Sequence, residues 1–173
     1  GMRIIQQERG FRFGMDAVLL ADFANVDPKA RVADFGTGTG ILPLLLRGRG
    51  KGCTFDALEI QPEMADMARR TMTLNGVEAV IRVHNVPVQQ AETVVAAGSV
   101  DAIVCNPPYG QRMMEQQSAQ RLYAALGRHL KFANGWKKYI ITSEPEFEHY
   151  YGRRADKKRK LYNGMIKCDY YMY

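Results

Sequence analysis

Two kinds of apolar pattern alternate along this chain. Short compact runs at residues 31–35, 53–59, 79–84, 100–105 and 138–143 read as strands. Between them lie stretches whose apolar residues recur at helical spacing. Residues 41–46 predict a helix that tolerates Pro43 because it falls in the first turn. A second helix starts at Pro62 and runs to about Leu74, with Met64, Met67, Ala68 and Met72 as its buried stripe and Asn75-Gly76 as its stop. Part of residues 88–97 is expected to be helical. Leu122, Tyr123, Leu126 and Leu130 mark a further helix, and residues 144–151 a short acidic one. Near the start, residues 16–23 have a helical apolar face with Asp16 at the N-cap position.

Strands alternating with helices predict an α/β fold with a parallel, doubly wound sheet. Residues 100–105 are almost continuously apolar, as expected of a central strand covered on both faces. The end differs: residues 157–162 and 165–173 flank Asn163-Gly164, a tight hairpin signal that makes the final strand antiparallel. No linker or repeat divides residues 1–173. They are expected to form one domain: an arm and helix (1–25), a ligand-binding half (31–105) and a substrate half (106–173).

The first strand ends in Asp34 and runs into Gly36, Gly38 and Gly40 before the first of those helices. Strand, glycine loop and helix start form a nucleotide-binding unit, whose free N–H groups suit a polar or anionic ligand group. The spacing is G-x-G-x-G, not the dinucleotide G-x-G-x-x-G. Glu59 closes the second strand 19 residues beyond Gly40, where a carboxylate can accept both hydroxyls of a ribose. Asn85, at the end of the third strand, suits either an adenine edge or a plain turn. Asp16 suits either a helix cap or a contact at the ligand's amino-acid end.

Asn106-Pro107-Pro108-Tyr109 follows the fourth strand and is the most specific signal. Pro107 forces Asn106 into extended backbone. An exocyclic amine on a base is a poor nucleophile because its lone pair is delocalised into the ring. The Asn106 side-chain oxygen and the Pro107 carbonyl can accept the amine's hydrogens and free that lone pair. Tyr109 offers a flat face for an unstacked base. The bland alternative is a rigid turn with a buried tyrosine.

The formal charge of +6 and a pI near 9.3 suggest an anionic partner, although surface solubility alone accounts for such an excess. Lys157, Lys158, Arg159 and Lys160, with Tyr150, Tyr151 and Tyr162 nearby, suit phosphates and bases or, equally, a solvated edge strand. Cys53, Cys105 and Cys168 lack ligand or disulfide spacing, so no metal is expected, and Cys53 and Cys105 are expected in the core. His84, His129 and His149 carry no partner pattern and are expected to be structural. No run approaches transmembrane length and no signal-peptide pattern appears, so a cytoplasmic protein with no membrane partner is expected. Gly1 ahead of Met2 resembles an expression-tag remnant.

On these motifs the chain resembles class I S-adenosylmethionine-dependent methyltransferases that modify exocyclic amines in nucleic acids. Ile4, Ile5 and Gln6, the stretch from Phe11 to Phe23, and Leu58-Glu59-Ile60-Gln61 are similar to bacterial tRNA adenine-amino methyltransferases. The stretch from Cys105 through Asn106 and Tyr109 to Gly110, Gln111 and Arg112, and that from Lys157 to Cys168, are similar to the 23S rRNA guanine 2-amino methyltransferases of the THUMP-containing family. Members of that family carry an N-terminal RNA-binding domain that this sequence is not expected to form.

The resemblance implies a seven-stranded Rossmann-like sheet and S-adenosylmethionine as cofactor. It places Asp16, Asp34, Gly36, Gly38, Gly40, Glu59, Ile60 and Asn85 on the cofactor. It places Asn106, Pro107 and Tyr109 at the target amine, and Pro108, Gly110, Arg112, Lys158 and Arg159 on the substrate. Asn85 departs from the commoner aspartate. The mixed likeness suggests a recombined chain joined between the third and fourth strands.

The leading expectation is an RNA methyltransferase acting on guanine of rRNA, with adenine of tRNA second. A non-catalytic cofactor- or RNA-binding module is a different class. A nicotinamide dehydrogenase is disfavoured by the glycine spacing and by Asn106–Tyr109. Methylation of a protein or small molecule also fits related motifs.

Overall fold

A computed structural model describes residues 1–8, 13–108, 113–130, 135–163 and 165–173. In chain order its elements are α1 (Met15–Phe23), β1 (Arg31–Phe35), α2 (Ile41–Gly48), β2 (Thr54–Leu58), α3 (Pro62–Asn75), β3 (Ile81–His84), a 3₁₀ helix (Val88–Thr93), β4 (Ala102–Cys105), α4 (Met113–His129), β5 (Lys137–Thr142), α5 (Phe147–Tyr151), β6 (Lys157–Asn163) and β7 (Ile166–Met172). The sheet order is β3-β2-β1-β4-β5-β7-β6. β1 to β5 pair in parallel, and β7 is antiparallel to both β5 and β6. The chain winds outward from β1 to β3, then crosses back to place β4 on the other flank of β1. That reversal opens a crevice at the carboxyl ends of β1 and β4.

Each face of the sheet has its own core. Leu20, Leu46, Phe55, Met72 and Val104 pack on one side. Phe35, Leu58, Ile103, Tyr123 and Phe147 pack on the other. All four residues of β4 are buried, which explains its unbroken apolar sequence. Met64, Met67, Ala68 and Met72 are buried along α3, and Gly76 ends that helix in the left-handed conformation.

The helix expected in part of residues 88–97 is the short 3₁₀ helix, since β-branched Val88, Thr93, Val94 and Val95 between Pro87 and Gly98 disfavour a longer α-helix. Two expectations are corrected. Asp16 is not an N-cap: α1 starts one residue earlier, with Gly14 at the cap position and no side-chain cap. Asp16 lies inside the first turn, buried, with its Oδ1 accepting the Ala17 N–H at 2.9 Å. Cys53 is only half-buried, because it precedes β2, and its thiol donates to the Lys29 carbonyl at 3.0 Å. Among the described residues no helix is long and apolar enough to cross a membrane, and no acidic, histidine or cysteine cluster could hold a metal.

Two non-local contacts fix the helices around the crevice. Lys51 Nζ donates to the carbonyls of Ala21, Asp22 and Ala24 at 2.8, 2.6 and 2.9 Å, closing the carboxyl end of α1. The N-terminal arm lies along α3: the Arg3 N–H donates to Asn75 Oδ1 at 2.9 Å and the Ile5 N–H to Thr71 Oγ1 at 3.1 Å.

Gly127 allows α4 to approach α5. A Cβ there would strike the Tyr151 backbone carbonyl, which cannot swing aside as a side chain could. Gly127→Ala is expected to cost about 2 kcal/mol or more from overpacking. Urea unfolding checks this, the expected result being a lower midpoint with an unchanged slope.

Candidate functional site

The crevice is built by backbone groups first. The N–H groups of Gly36 and Thr37 both donate to the Leu58 carbonyl at 2.9 Å, so the loop after β1 is tied to the end of β2. Glu59 is 6% exposed and fastens the other side. Its Oε2 accepts the Gly38 N–H at 2.9 Å and its Oε1 the Gln61 N–H at 2.8 Å. A carboxylate has about four acceptor positions, so each oxygen retains capacity for a hydroxyl. At Gly40, φ is +84°, so the conformation calls for glycine, while a Cβ there would meet only the flexible end of the Met72 side chain. Above Gly36 and Gly38 there is open space.

Asp34 faces this cradle from the end of β1. It is 1% exposed, and neither carboxylate oxygen has a hydrogen-bond partner. The neighbouring Thr37 hydroxyl is likewise without one. Burial pushes the Asp34 carboxyl up to about 7; the nearby Thr37 hydroxyl, though outside hydrogen-bond geometry, offsets this in part, and the negative charge of Glu59 adds to it. A buried carboxyl beside open space lacks a cationic or hydrogen-bond-donating partner. That is what the amino-acid end of S-adenosylmethionine presents, so the residues fit the group.

Asn85 and Ile60 complete the edge. Asn85 Nδ2 donates to the Glu59 carbonyl at 2.8 Å and the Ile60 carbonyl at 3.1 Å. Both amide hydrogens are thereby engaged, leaving the Asn85 oxygen as an acceptor. Ile60 is 63% exposed beside them.

Across the switch point, Phe35 pairs with Cys105, whose thiol donates to the Phe35 carbonyl at 3.1 Å. Burial raises the thiol above its ordinary range, so it stays protonated. Asn106, half-buried, and Pro107, buried, follow at once. The Pro108 carbonyl accepts the Tyr123 O–H at 2.7 Å. The same Tyr123 oxygen is 3.2 Å from Thr142 Oγ1, which accepts the Glu144 N–H at 3.2 Å. Thus α4 and the end of β5 clamp the Asn-Pro-Pro turn from behind. Burial pushes the Tyr123 hydroxyl up to about 12, keeping it a donor.

The structure therefore gathers Asp34, Gly36, Gly38, Gly40, Glu59, Ile60 and Asn85 on one side of the crevice and Asn106 to Pro108 on the other. Tyr109, Gly110 and Arg112 lie outside the described residues. Lys158 and Arg159 sit on edge strand β6 and are engaged within the protein. Lys158 Nζ is 3.2 Å from Asp169 and 3.6 Å from Glu148, and it stands over the Tyr171 ring. The Arg159 guanidinium stands over Phe23. Tyr123 is the functional residue that sequence reasoning placed only as an apolar helix marker. Its one available signal was a hydroxyl in an apolar stripe, which needs a buried partner.

A doubly wound sheet with a glycine cradle and acidic strand end on one side, and an Asn-Pro-Pro turn across the switch point, has the form of a Rossmann-like methyltransferase domain. Residues 47–172 match the family described as RMKL-like, methyltransferase domain, and the chain belongs to that family. A Bacillus subtilis (strain 168) protein named as an RNA methyltransferase, YpsC, is 37% identical over 120 residues, which is 69% of this chain and 30% of YpsC. The ribosomal RNA large subunit methyltransferase K/L of Syntrophotalea carbinolica is 38% identical over 103 residues, 58% of this chain and 14% of that protein. The chain thus spans less than a third of these relatives. A solved structure from Clostridium difficile 630, described as that of a possible methylase, superposes with a TM-score of 0.77 at 26% identity, over 96% of this chain and 55% of that one.

The Asp34 carboxyl makes a signed prediction. Its folded pKa is raised from 3.8 to about 7, so the folded state holds a proton that the unfolded chain has released. Stability contributed by this group is therefore full below pH 4 and lost as pH rises towards about 7. Thermal unfolding of the ligand-free protein checks this: Asp34→Asn should gain on the wild type between pH 4 and pH 8. A difference in melting temperature independent of pH would contradict it.

Proposed function

We propose that this chain is the catalytic domain of an S-adenosylmethionine-dependent RNA methyltransferase that methylates an exocyclic base amine, with the guanine 2-amino group of ribosomal RNA as target. The observation that carries the reading is the register at the switch point: Phe35 opposite Cys105 sets the glycine cradle and the Asn106-Pro107 turn side by side. The names of the relatives, RNA methyltransferase and ribosomal RNA large subunit methyltransferase, support RNA and favour rRNA over tRNA. The likeness of Ile4 to Gln6, Phe11 to Phe23 and Leu58 to Gln61 to tRNA adenine-amino methyltransferases supports the second reading.

When bound, the cofactor supplies an electrophilic methyl group on a sulfonium. Asp34 receives its amino-acid end, Glu59 the ribose hydroxyls, and Ile60 with the Asn85 oxygen the adenine. Asn106 and the Pro107 carbonyl accept the hydrogens of the target amine and aim its lone pair at the cradle. The proline pair holds the carbonyl's direction with little entropy left to lose, and the Tyr123 bond to Pro108 prevents the turn from retreating. Tyr109 stacks on the base, and Gly110 and Arg112 lie along the substrate. No base is needed before attack, because the proton can leave after transfer.

The test is incubation with labelled cofactor and unmodified ribosomal or transfer RNA, followed by nucleoside mass spectrometry. N2-methylguanosine in rRNA is expected; N6-methyladenosine in tRNA would establish the second reading. Asn106→Ala should lower single-turnover transfer by about 10²–10³ with cofactor affinity retained. Near-normal transfer by that variant would remove Asn106 from the chemistry.

A further inference from the structure

We propose that the β6–β7 hairpin is the arm that holds the RNA strand flanking the target base, and that Lys160, Tyr162 and Lys167 make the contact in place of Lys158 and Arg159. The proposal rests on the RNA-methyltransferase reading above and extends it to an element that reading leaves without a role.

The argument starts from register. β7 last pairs with β5 at Thr142–Asp169. β6 and β7 continue to pair through Leu161–Cys168, Tyr162–Lys167 and Asn163–Ile166. The hairpin therefore stands about 10 Å beyond the end of β5, at about 3.4 Å per residue. Because β7 is antiparallel to β5 and to β6, β6 runs in the direction of β5, and the overhang leaves the sheet at its carboxyl edge. That edge also carries the glycine cradle, Glu59 and Asn106. β7 is two strands and β6 three strands from β4, so the lateral offset from the Asn106 strand is about 10 Å for Lys167 and about 14 Å for Lys160 and Tyr162 at the usual strand spacing. A few nucleotides flanking a splayed-out base can cover that distance.

The overhang has the chemistry for a single strand. Tyr162 is 65% exposed, and Lys160 and Lys167 are exposed. Tyr162 and Lys167 are directly opposed and share a face, and Lys160, two residues earlier, lies on the same face. An aromatic ring between two ammonium groups provides a stacking platform with phosphate contacts on either side. Deeper on that face, Lys158 is neutralised by Glu148 and Asp169. Lys160, at the base of the overhang, is directly opposed by Asp169, whose carboxylate is engaged by Lys158, and Lys167 is opposed by Tyr162. The net charge of +6 favours an anionic occupant. Met165 and Ile166, exposed at the tip, offer the competing occupant, a second copy of this chain.

The full chain is tested as wild type, as Tyr162→Ala and as the double variant Lys160→Ala/Lys167→Ala. The probes are unmodified large-subunit ribosomal RNA and a single-stranded RNA of about 12 nucleotides. Cofactor affinity and transfer at saturating RNA should be retained. Tyr162→Ala should weaken RNA binding by about fivefold or more, the loss of one stacked base. The double variant should reduce the slope of log affinity against log salt by about 1.4, two phosphates at about 0.7 each. Unchanged affinity and slope in an enzyme that methylates RNA would overturn the hairpin's role and leave the methyltransferase reading standing. Wild type that binds the cofactor but methylates no RNA would overturn both. Self-association abolished by Met165→Lys, with RNA affinity unchanged in all variants, would overturn the proposal and give the hairpin to a second copy.

Discussion

The crevice depends on the two bonds accepted by Glu59. With one oxygen on the Gly38 N–H and the other on the Gln61 N–H, this carboxylate ties the β1 loop to the start of α3. Bonds from backbone N–H groups to a buried ionised acceptor are among the stronger ones in proteins. Without them, the loop would be held only by the two N–H groups that share the Leu58 carbonyl. The shape of the cradle is thus set by a residue that also faces the ligand. Under the proposed function, a ribose at Glu59 would add to a network already in place, with little ordering left to be done on binding.

Asp34 is the counterweight. It is buried on the same edge with neither oxygen partnered, so the ligand-free fold carries a destabilised group at neutral pH. Buried polar atoms are almost always paired, and an exception beside open space marks where a partner is meant to arrive. Glu59 and Asp34 divide the work: one carboxylate is satisfied and organises the site, while the other is unsatisfied and draws in a donor. Their proximity is part of the design, because the Glu59 charge adds to the burial cost that holds the Asp34 proton.

The sequence disclosed whatever is local. The glycine loop, Glu59 at a fixed spacing, the Asn-Pro-Pro turn, Pro62 and Gly76 at the ends of α3, and the hairpin all depend on residues within a few positions of one another. Contacts set by three-dimensional register were not legible. Lys51 closes α1 from about 30 residues away, and nothing in its surroundings distinguishes it from other surface lysines. Tyr123 reaches Pro108 only because α4 packs beneath the turn. Lys158 and Lys160 look alike in a basic run, yet Lys158 meets Asp169 and Glu148 while Lys160 stands one pair farther along the face, at the base of the overhang. Asp16 misled because a cap and a first-turn acid differ by two positions, and Gly14 took the cap.

The switch point fixes a distance that the side chains cannot adjust. β1 and β4 are adjacent strands, so the two halves of the site are separated by about one strand spacing, roughly 4.8 Å. Each half is anchored to its own strand end, and the Cys105 thiol joins the two by its bond to the Phe35 carbonyl. A methyl donor in the cradle and an amine at the Asn-Pro-Pro turn would therefore meet in a geometry imposed by the sheet, with proximity supplied by backbone hydrogen bonding. Under the proposed function, selection of the base would then fall to an element that leaves the sheet at the same edge. Among the described residues the β6–β7 overhang is such an element, set beyond the end of β5 and outside the cradle. Substrate choice can change there without disturbing the alignment of donor and acceptor.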